Sequence, residues 1–309
     1  MIRKAVVTAA GLGTRLSPAT KELPKEMLPV FHREGGRMVV KPLLQLIFEQ
    51  LHSIGIREFC FVIGRGKRAI EDHFTQDPRF LRELRERGKD REAESLERFY
   101  SMLSDSVITW VNQPEPRGFG DAVLKARAFV GSDRFMVAAG DTYIISGEDG
   151  NSHLRELASA GESADAVLLL RRVPDPSQYG VAVVRGGRVL RVVEKPRERI
   201  SSLAIMPFYA FSPGIMDHLA RIGPGVGGEV QLTDAIQSAL DSGSDVRYVL
   251  LGRSRWLDIG TPESYWRALY EAWRAWGRGR GPRLSGRARR WPAPLKPFYS
   301  PISATLVLR

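Results

Sequence analysis

Several residues of this 309-residue chain have the chemistry to handle a phosphate anion. Gly11 and Gly13 lie in Ala9-Ala10-Gly11-Leu12-Gly13-Thr14-Arg15-Leu16. Glycine lets a backbone approach an anion closely and turn its N–H groups toward it. Arg15 ends that segment with a fixed cation whose paired donors match phosphate oxygens. Lys25 follows between Pro24 and Pro29, which restrict the backbone around it. A solvated surface lysine is the plainer alternative for Lys25. Asp141, after the apolar run 135–139 and Gly140, is a carboxylate at a strand end. Beside a triphosphate it would hold Mg²⁺, an oxygen-seeking ion bound by one or two carboxylates plus phosphates. Otherwise it would only cap the next segment.

Known phosphate-binding patterns do not explain the loop. The dinucleotide fingerprint needs a third glycine where Leu16 stands, and the P-loop Lys-Ser/Thr is absent. By itself the glycine pair is no more than a turn. The histidines at 32, 52, 73, 153 and 218 have no zinc spacing, and no Gly-x-Ser-x-Gly occurs. Cys60, the single cysteine, sits inside an apolar run and is expected in the core. No covalent nucleophile is indicated.

The elements that must position these groups alternate. Residues 2–8 form a β-branched apolar run that predicts a buried strand. The loop follows, and Lys41-Pro42 opens a helix whose Leu43, Leu44, Ile47, Phe48 and Leu51 share a face, ended by Gly55. Strands are predicted at 59–63, 107–111, 135–139, 165–171 and 204–211. Helices are predicted at 67–74, 121–129, 151–160, 213–220, 231–241 and 262–276. Residues 78–103 are charged with apolar spacing and predict one or two surface helices. Gly186-Gly187 joins 181–184 to 189–193 as a hairpin. Strand–helix alternation first and antiparallel additions later give an α/β fold with a mostly parallel, mixed central sheet.

No window approaches 18 uninterrupted apolar residues, and the N-terminus lacks a signal-peptide pattern. With one cysteine, a cytoplasmic location is expected. The net charge is +11, but residues 277–309 hold eight Lys and Arg and no acid, leaving +3 for residues 1–276. The chain therefore divides into a body at 1–276 and a basic Gly/Pro/Arg-rich extension at 277–309. A nucleic-acid role would rest on that extension alone.

The stretch Ala9 to Val30, with Pro24-Lys25-Glu26-Met27-Leu28-Pro29 as its most specific part, resembles the signature of nucleoside-diphosphate-sugar pyrophosphorylases. It is most similar to the bacterial-type UTP–glucose-1-phosphate uridylyltransferases, and the resemblance runs to about residue 270. It implies a Rossmann-like, three-layer α/β/α nucleotidyltransferase fold. It implies that Ala9, Ala10, Gly11, Gly13, Thr14 and Arg15 hold a nucleoside triphosphate and that Lys25 stabilises the transferring phosphate. Gln113-Pro114-Glu115-Pro116-Arg117-Gly118-Phe119-Gly120-Asp121 resembles the base-recognition segment. The Gln113 amide suits an imide edge, and Gly118 admits the base. Asp121 departs from that pattern, which usually has His there. Tyr179-Gly180-Val181 and Val193-Glu194-Lys195-Pro196 resemble a sugar-phosphate site. In it Glu194 would accept from sugar hydroxyls and Lys195 would neutralise the phosphate. The segment Gly227 to Ala235 would shape the same pocket. Asp258, in Asp258-Ile259-Gly260-Thr261, is implied as the second metal ligand beside Asp141, and Thr261 as the N-cap of the last helix. Arg15, Lys25 and Asp141 form the implied catalytic set.

The implied reaction joins UTP to glucose 1-phosphate with Mg²⁺, releasing pyrophosphate. The substrates are then a nucleoside triphosphate and a sugar 1-phosphate, with no membrane or nucleic-acid partner, in a homo-oligomer. Two activities of the same class compete: dTTP with glucose 1-phosphate, and GTP with mannose 1-phosphate. Gln113 favours a pyrimidine without separating uracil from thymine. A non-catalytic nucleotide-sugar-binding regulator is the distant alternative.

Overall fold

The computed structural model describes residues 1–145, 150–252 and 254–277. The first strand, β1 (Lys4–Ala9), shows how the layers arise. Its successive side chains point to opposite faces, as strand geometry requires. Ala5, Val7 and Ala9 enter one apolar cluster, and Val6 enters a second. β4 (Glu58–Ile63) repeats this, with Phe59, Phe61 and Ile63 on the first side and Cys60 and Val62 on the second. A strand buried on both faces has no polar alternation, which is why these runs are continuous in sequence.

The remaining strands are β2 (Pro29–Glu34), β3 (Arg37–Pro42), β5 (Val107–Asn112), β6 (Phe135–Ala139), β7 (Thr142–Ile145), β8 (Ala166–Arg172), β9 (Gly180–Arg185), β10 (Arg188–Glu194), β11 (Leu203–Phe211), β12 (Val246–Leu250) and β13 (Arg255–Asp258). The helices are α1 (Leu43–Ser53), α2 (Arg68–His73), α3 (Pro78–Glu86), α4 (Asp90–Ser104), α5 (Phe119–Lys125), α6 (Arg127–Val130), α7 (Ser152–Ala160), α8 (Ile215–Arg221), α9 (Leu232–Asp241) and α10 (Pro262–Trp276). The first core packs under α1, α4, α7 and α10, and the second under α5, α8 and α9. The expected three-layer α/β/α arrangement follows.

The central sheet has nine strands in the order β5-β4-β1-β6-β11-β8-β12-β10-β9. It is mixed, but the expectation of a mostly parallel sheet is corrected. Only β5–β4, β4–β1, β1–β6 and β8–β12 pair in parallel. The links β6–β11, β11–β8, β12–β10 and β10–β9 are antiparallel. The cause is the connections: β8, β9, β10 and β11 follow one another without an intervening helix. Parallel neighbours need a crossover of a dozen residues or more.

Two small ribbons lie outside the main sheet. β2 and β3 form a hairpin over Gly35 and Gly36, both at positive φ (55° and 81°), which suits a tight turn. β7 and β13 pair antiparallel, placing Thr142 opposite Asp258. The charged stretch after α2 is two helices, α3 and α4, packed on each other. Cys60 is fully buried, and burial pushes its thiol up to about 12, so it belongs to the core. His73 is half-buried. Its ring stacks on Phe99 and shares a 2.9 Å hydrogen bond with Gln45. The basic extension falls outside the described residues from 278 onward.

Candidate active site

β1, β4 and β6 all end at one edge of the sheet, the place where open α/β sheets bind ligands. Their backbones touch there. A Cβ at Gly64 would lie 2.9 Å from the Ala10 carbonyl oxygen, and one at Gly140 would lie 2.9 Å from that of Thr8. Above this floor is an open cavity of about 630 Å³.

One wall is the glycine loop. Gly13 has φ 67°, a left-handed conformation that glycine adopts without strain. It opens a single 3₁₀ turn, Thr14–Leu16, and the Thr20 hydroxyl donates to the Gly13 carbonyl at 2.7 Å. Ala10, Gly11, Gly13, Thr14 and Arg15 line the cavity. Ala9 lies beneath them, 1% exposed in the core, so it supports the loop from below.

Lys25 sits in a second 3₁₀ turn, Lys25–Met27. Its stem reaches over the glycine loop, because a Cβ at Gly11 would lie 3.5 Å from Lys25 Nζ. Nζ donates to Asp141 Oδ2 at 2.5 Å. Burial alone would lower the pKa of this ammonium. Asp141, Glu26 and Asp258 outweigh burial and raise it above the ordinary lysine value. Lys25 is therefore a fixed cation.

Asp141 and Asp258 are brought together by the β7–β13 ribbon, and the Ile259 N–H donates to the Asp141 carbonyl at 3.2 Å. The Asp258 carboxyl is pushed up to about 6, first by burial and then by the charge of Asp141, against Lys25 and Arg15. Arg15 is close by. A Cβ at Gly260 would meet Asp258 Oδ2 at 3.3 Å and Arg15 Nη2 at 3.6 Å. A carboxyl made costly to ionise by burial and by a neighbouring carboxylate belongs to a donor set that a divalent cation would relieve. Among the described residues no group of three or more His, Cys, Asp or Glu could hold a metal. A cation here would take its other ligands from phosphate and water.

A second wall is Gln113, Pro116, Gly118 and Phe119. Gly118 has φ 110°, and a Cβ there would lie 2.7 Å from the Val230 carbonyl oxygen, so only glycine fits. Val230 N–H donates to Arg117 O, and Gly120 N–H donates to Val230 O. These bonds zip the 113–120 segment to 229–231.

The opposite end holds Gly180, Glu194, Gln231 and Thr233. Thr233 Oγ1 donates to Glu194 Oε2 at 2.7 Å. Burial raises the Glu194 pKa despite that bond. Lys195 is at the rim with its side chain 46% exposed, outside the lining set. It takes φ 41°, an unusual value for a residue with a Cβ.

Some pairings were not visible in the sequence. Glu26, in the Lys25 turn, and Lys67 form a buried ion pair at 2.8 Å, their side chains 2% and 8% exposed. Thr233 joins Glu194 from a different element. Both are contacts between distant segments with no local pattern. Within the 113–121 segment, Asp121 Oδ2 accepts from Gln113 Nε2 at 2.7 Å. Thr261 caps α10 as expected, in a reciprocal bond pair with Ser264.

Residues 4–273 match the nucleotidyl transferase family. A UTP–glucose-1-phosphate uridylyltransferase of Bacillus subtilis is 39% identical over 246 residues, covering 76% of this chain and 80% of that protein. One of Mycoplasma pneumoniae is 37% identical over 284 residues, covering 88% and 92%. A crystal structure of UDP-glucose pyrophosphorylase complexed with UDP-glucose superposes with a TM-score of 0.76 at 28% identity, covering 89% of this chain and 99% of the other. A UTP-bound UGPase from Acinetobacter baumannii gives 0.75 at 29% identity, covering 88% and 93%.

Proposed function

Because the chain belongs to the nucleotidyl transferase family, we propose that it makes UDP-glucose and pyrophosphate from UTP and glucose 1-phosphate. The observation that supports this best is Lys25. Its ammonium lies over the glycine loop and bonds to Asp141, in one cavity that also contains Gln113 and Glu194. A nucleotide handled by Gln113 and Gly118 would reach Lys25 with its phosphates. A sugar phosphate handled by Gly180, Glu194 and Lys195 would approach from the other end.

Phosphoryl transfer of this type asks the protein for position and charge rather than covalent chemistry. A phosphate oxygen of the sugar phosphate attacks the α-phosphorus of the nucleotide in line, and the bond to pyrophosphate breaks. The attacking oxygen is already ionised, so no general base is needed. Backbone N–H groups from Ala10 to Thr14, with Arg15, hold the triphosphate. Lys25 stabilises the charge that develops on the transferring phosphate. Asp141 and Asp258 would hold a divalent cation, Mg²⁺ in this reading, which when bound would screen the repulsion between two anionic substrates. Lys195 neutralises the sugar phosphate from the rim.

A homo-oligomeric, cytoplasmic enzyme completes this reading. No helix among the described residues is long and apolar enough to cross a membrane. The deciding experiment measures pyrophosphate release over a grid of UTP, dTTP, GTP and CTP against glucose and mannose 1-phosphates. Maximal release with UTP and glucose 1-phosphate is expected. Maximal release with dTTP would reassign the nucleotide, and release in no pair would remove the enzymatic reading.

A further inference from the structure

Gln113 is 4% exposed, and its amide nitrogen is fully engaged. Nε2 donates to Asp121 Oδ2 at 2.7 Å and to the Gly118 carbonyl at 3.2 Å. Both partners only accept, so the amide has one orientation here, with the nitrogen turned inward. Both side-chain hydrogen bonds of Gln113 among the described residues are made by Nε2, which leaves the oxygen, Oε1, to the cavity that Gln113 lines. What Gln113 offers a base is therefore an acceptor alone.

Asp121 is itself held. It lies in the first turn of α5, 7% exposed, and Lys125 Nζ stands 3.5 Å from its other oxygen, Oδ1. A carboxylate has no donor to offer Gln113. An asparagine would have one, and the pair could then reverse, turning the Gln113 nitrogen into the cavity against only the longer 3.2 Å bond to the Gly118 carbonyl.

Building on the proposed UTP-dependent reaction, we propose that Asp121 is a positioning residue for nucleotide specificity: its carboxylate fixes the Gln113 amide so that Oε1 faces the base and selects one that presents an N–H at position 3. Uracil and thymine carry that donor. Cytosine presents a lone pair at the same atom, which would face the Gln113 oxygen with no proton between them. Leaving a desolvated acceptor unpaired is how a polar site rejects a near-isosteric substrate. A hydrogen bond to a charged group favours the observed amide orientation by about 10–100-fold.

The test is the ratio of kcat/KM for UTP to that for CTP, both with glucose 1-phosphate, in wild type, Asp121→Asn and Asp121→Glu. In Asp121→Asn the ratio should fall at least about 10-fold, through a higher KM for UTP and a lower one for CTP. The KM for glucose 1-phosphate and the kcat with UTP should stay near wild type. Asp121→Glu, which keeps an acceptor-only partner, should retain the preference. A merely structural role would lower both nucleotides together and leave the ratio in place. An unchanged ratio in folded Asp121→Asn would overturn the proposal. If Asp121→Asn does not fold, Asp121→Ser, whose hydroxyl both donates and accepts, is judged by the same ratio. Failure of wild type to use UTP would refute the function and is distinct from failure of the ratio to move.

Discussion

Replacing Lys25 with methionine separates two things that its ammonium does. Methionine keeps an unbranched stem in the space above Gly11, so the loop should keep its shape. The charge is lost at a site where three acids hold it against burial. Removing one preorganised donor from a developing charge costs about 2.7–4 kcal/mol, or roughly 10²–10³ in kcat. The same change releases Asp141 Oδ2 from a 2.5 Å bond. A hydrogen bond between charged groups is worth about 1.5–3 kcal/mol, so the carboxylate should accept a divalent cation at least about 10-fold more readily. The expected signature is therefore opposed: kcat collapses while the Mg²⁺ concentration for half-maximal activity falls. A coupled pyrophosphate assay across a Mg²⁺ titration reads both. A variant that turns over within threefold of wild type would refute the role of Lys25. A half-maximal Mg²⁺ concentration that rises would refute its competition with cation for Asp141.

Three further outcomes can be checked. Gly180→Ala places a methyl 2.8 Å from Thr233 Oγ1 and 2.9 Å from Glu194 Oε2, between two atoms now bonded at 2.7 Å. The KM for glucose 1-phosphate should rise about 10-fold with little change in that for UTP; an equal rise in both would show that the damage is not confined to the sugar end. Lys67→Met leaves Glu26 buried without its partner, which should cost roughly 3–5 kcal/mol in urea unfolding. Adding Glu26→Gln should recover part of that loss, and no recovery would mean the pair is not the cause. Finally, burial lowers the pKa values of His32, His73 and His153 to about 4. Below an unfolded value near 6.5 the unfolded chain binds more protons, so stability present above that pH is lost as pH falls toward 4. Asp258, raised to about 6, gains stability on the same descent, as do Glu26, Glu194 and Asp234, whose pKa values burial also raises. Each buried histidine by itself should cost roughly 1 kcal/mol per pH unit between pH 6.5 and 5, so His73→Gln should flatten the pH profile of the unfolding midpoint over that range, and an unchanged profile would refute it.

The sequence exposes the parts of this fold that depend on short-range pattern. β1, β4 and β6 are continuous apolar runs because both faces are buried, and the loop after β1 has its glycines in plain view. The β2–β3 hairpin escapes notice because Val39-Val40-Lys41-Pro42 leads into α1 and resembles a helix approach. β7 and β13 are four residues each and pair mainly with one another, too short for any period to show. Strand direction is absent from a one-dimensional pattern wherever strands follow each other without a helix, and β9 to β11 are such a case. The same division holds at the cavity. Arg15, Lys25 and Asp141 stand at recognisable turns and strand ends. Thr233 and the Glu26–Lys67 pair have meaning only through partners far along the chain, whereas Asp121 is in view beside Gln113 and only its hydrogen bond is not.

The reciprocal backbone bonds between Arg117, Gly120 and Val230 join the span that carries Gln113 and Gly118 to the span that carries Glu229 and Gln231. A shift of one span is therefore passed to the other through the main chain rather than through side chains. If the proposed nucleotide displaces Gly118 on binding, the wall at Glu229 and Gln231 moves with it, and by linkage a second ligand held there would change nucleotide affinity by the same factor.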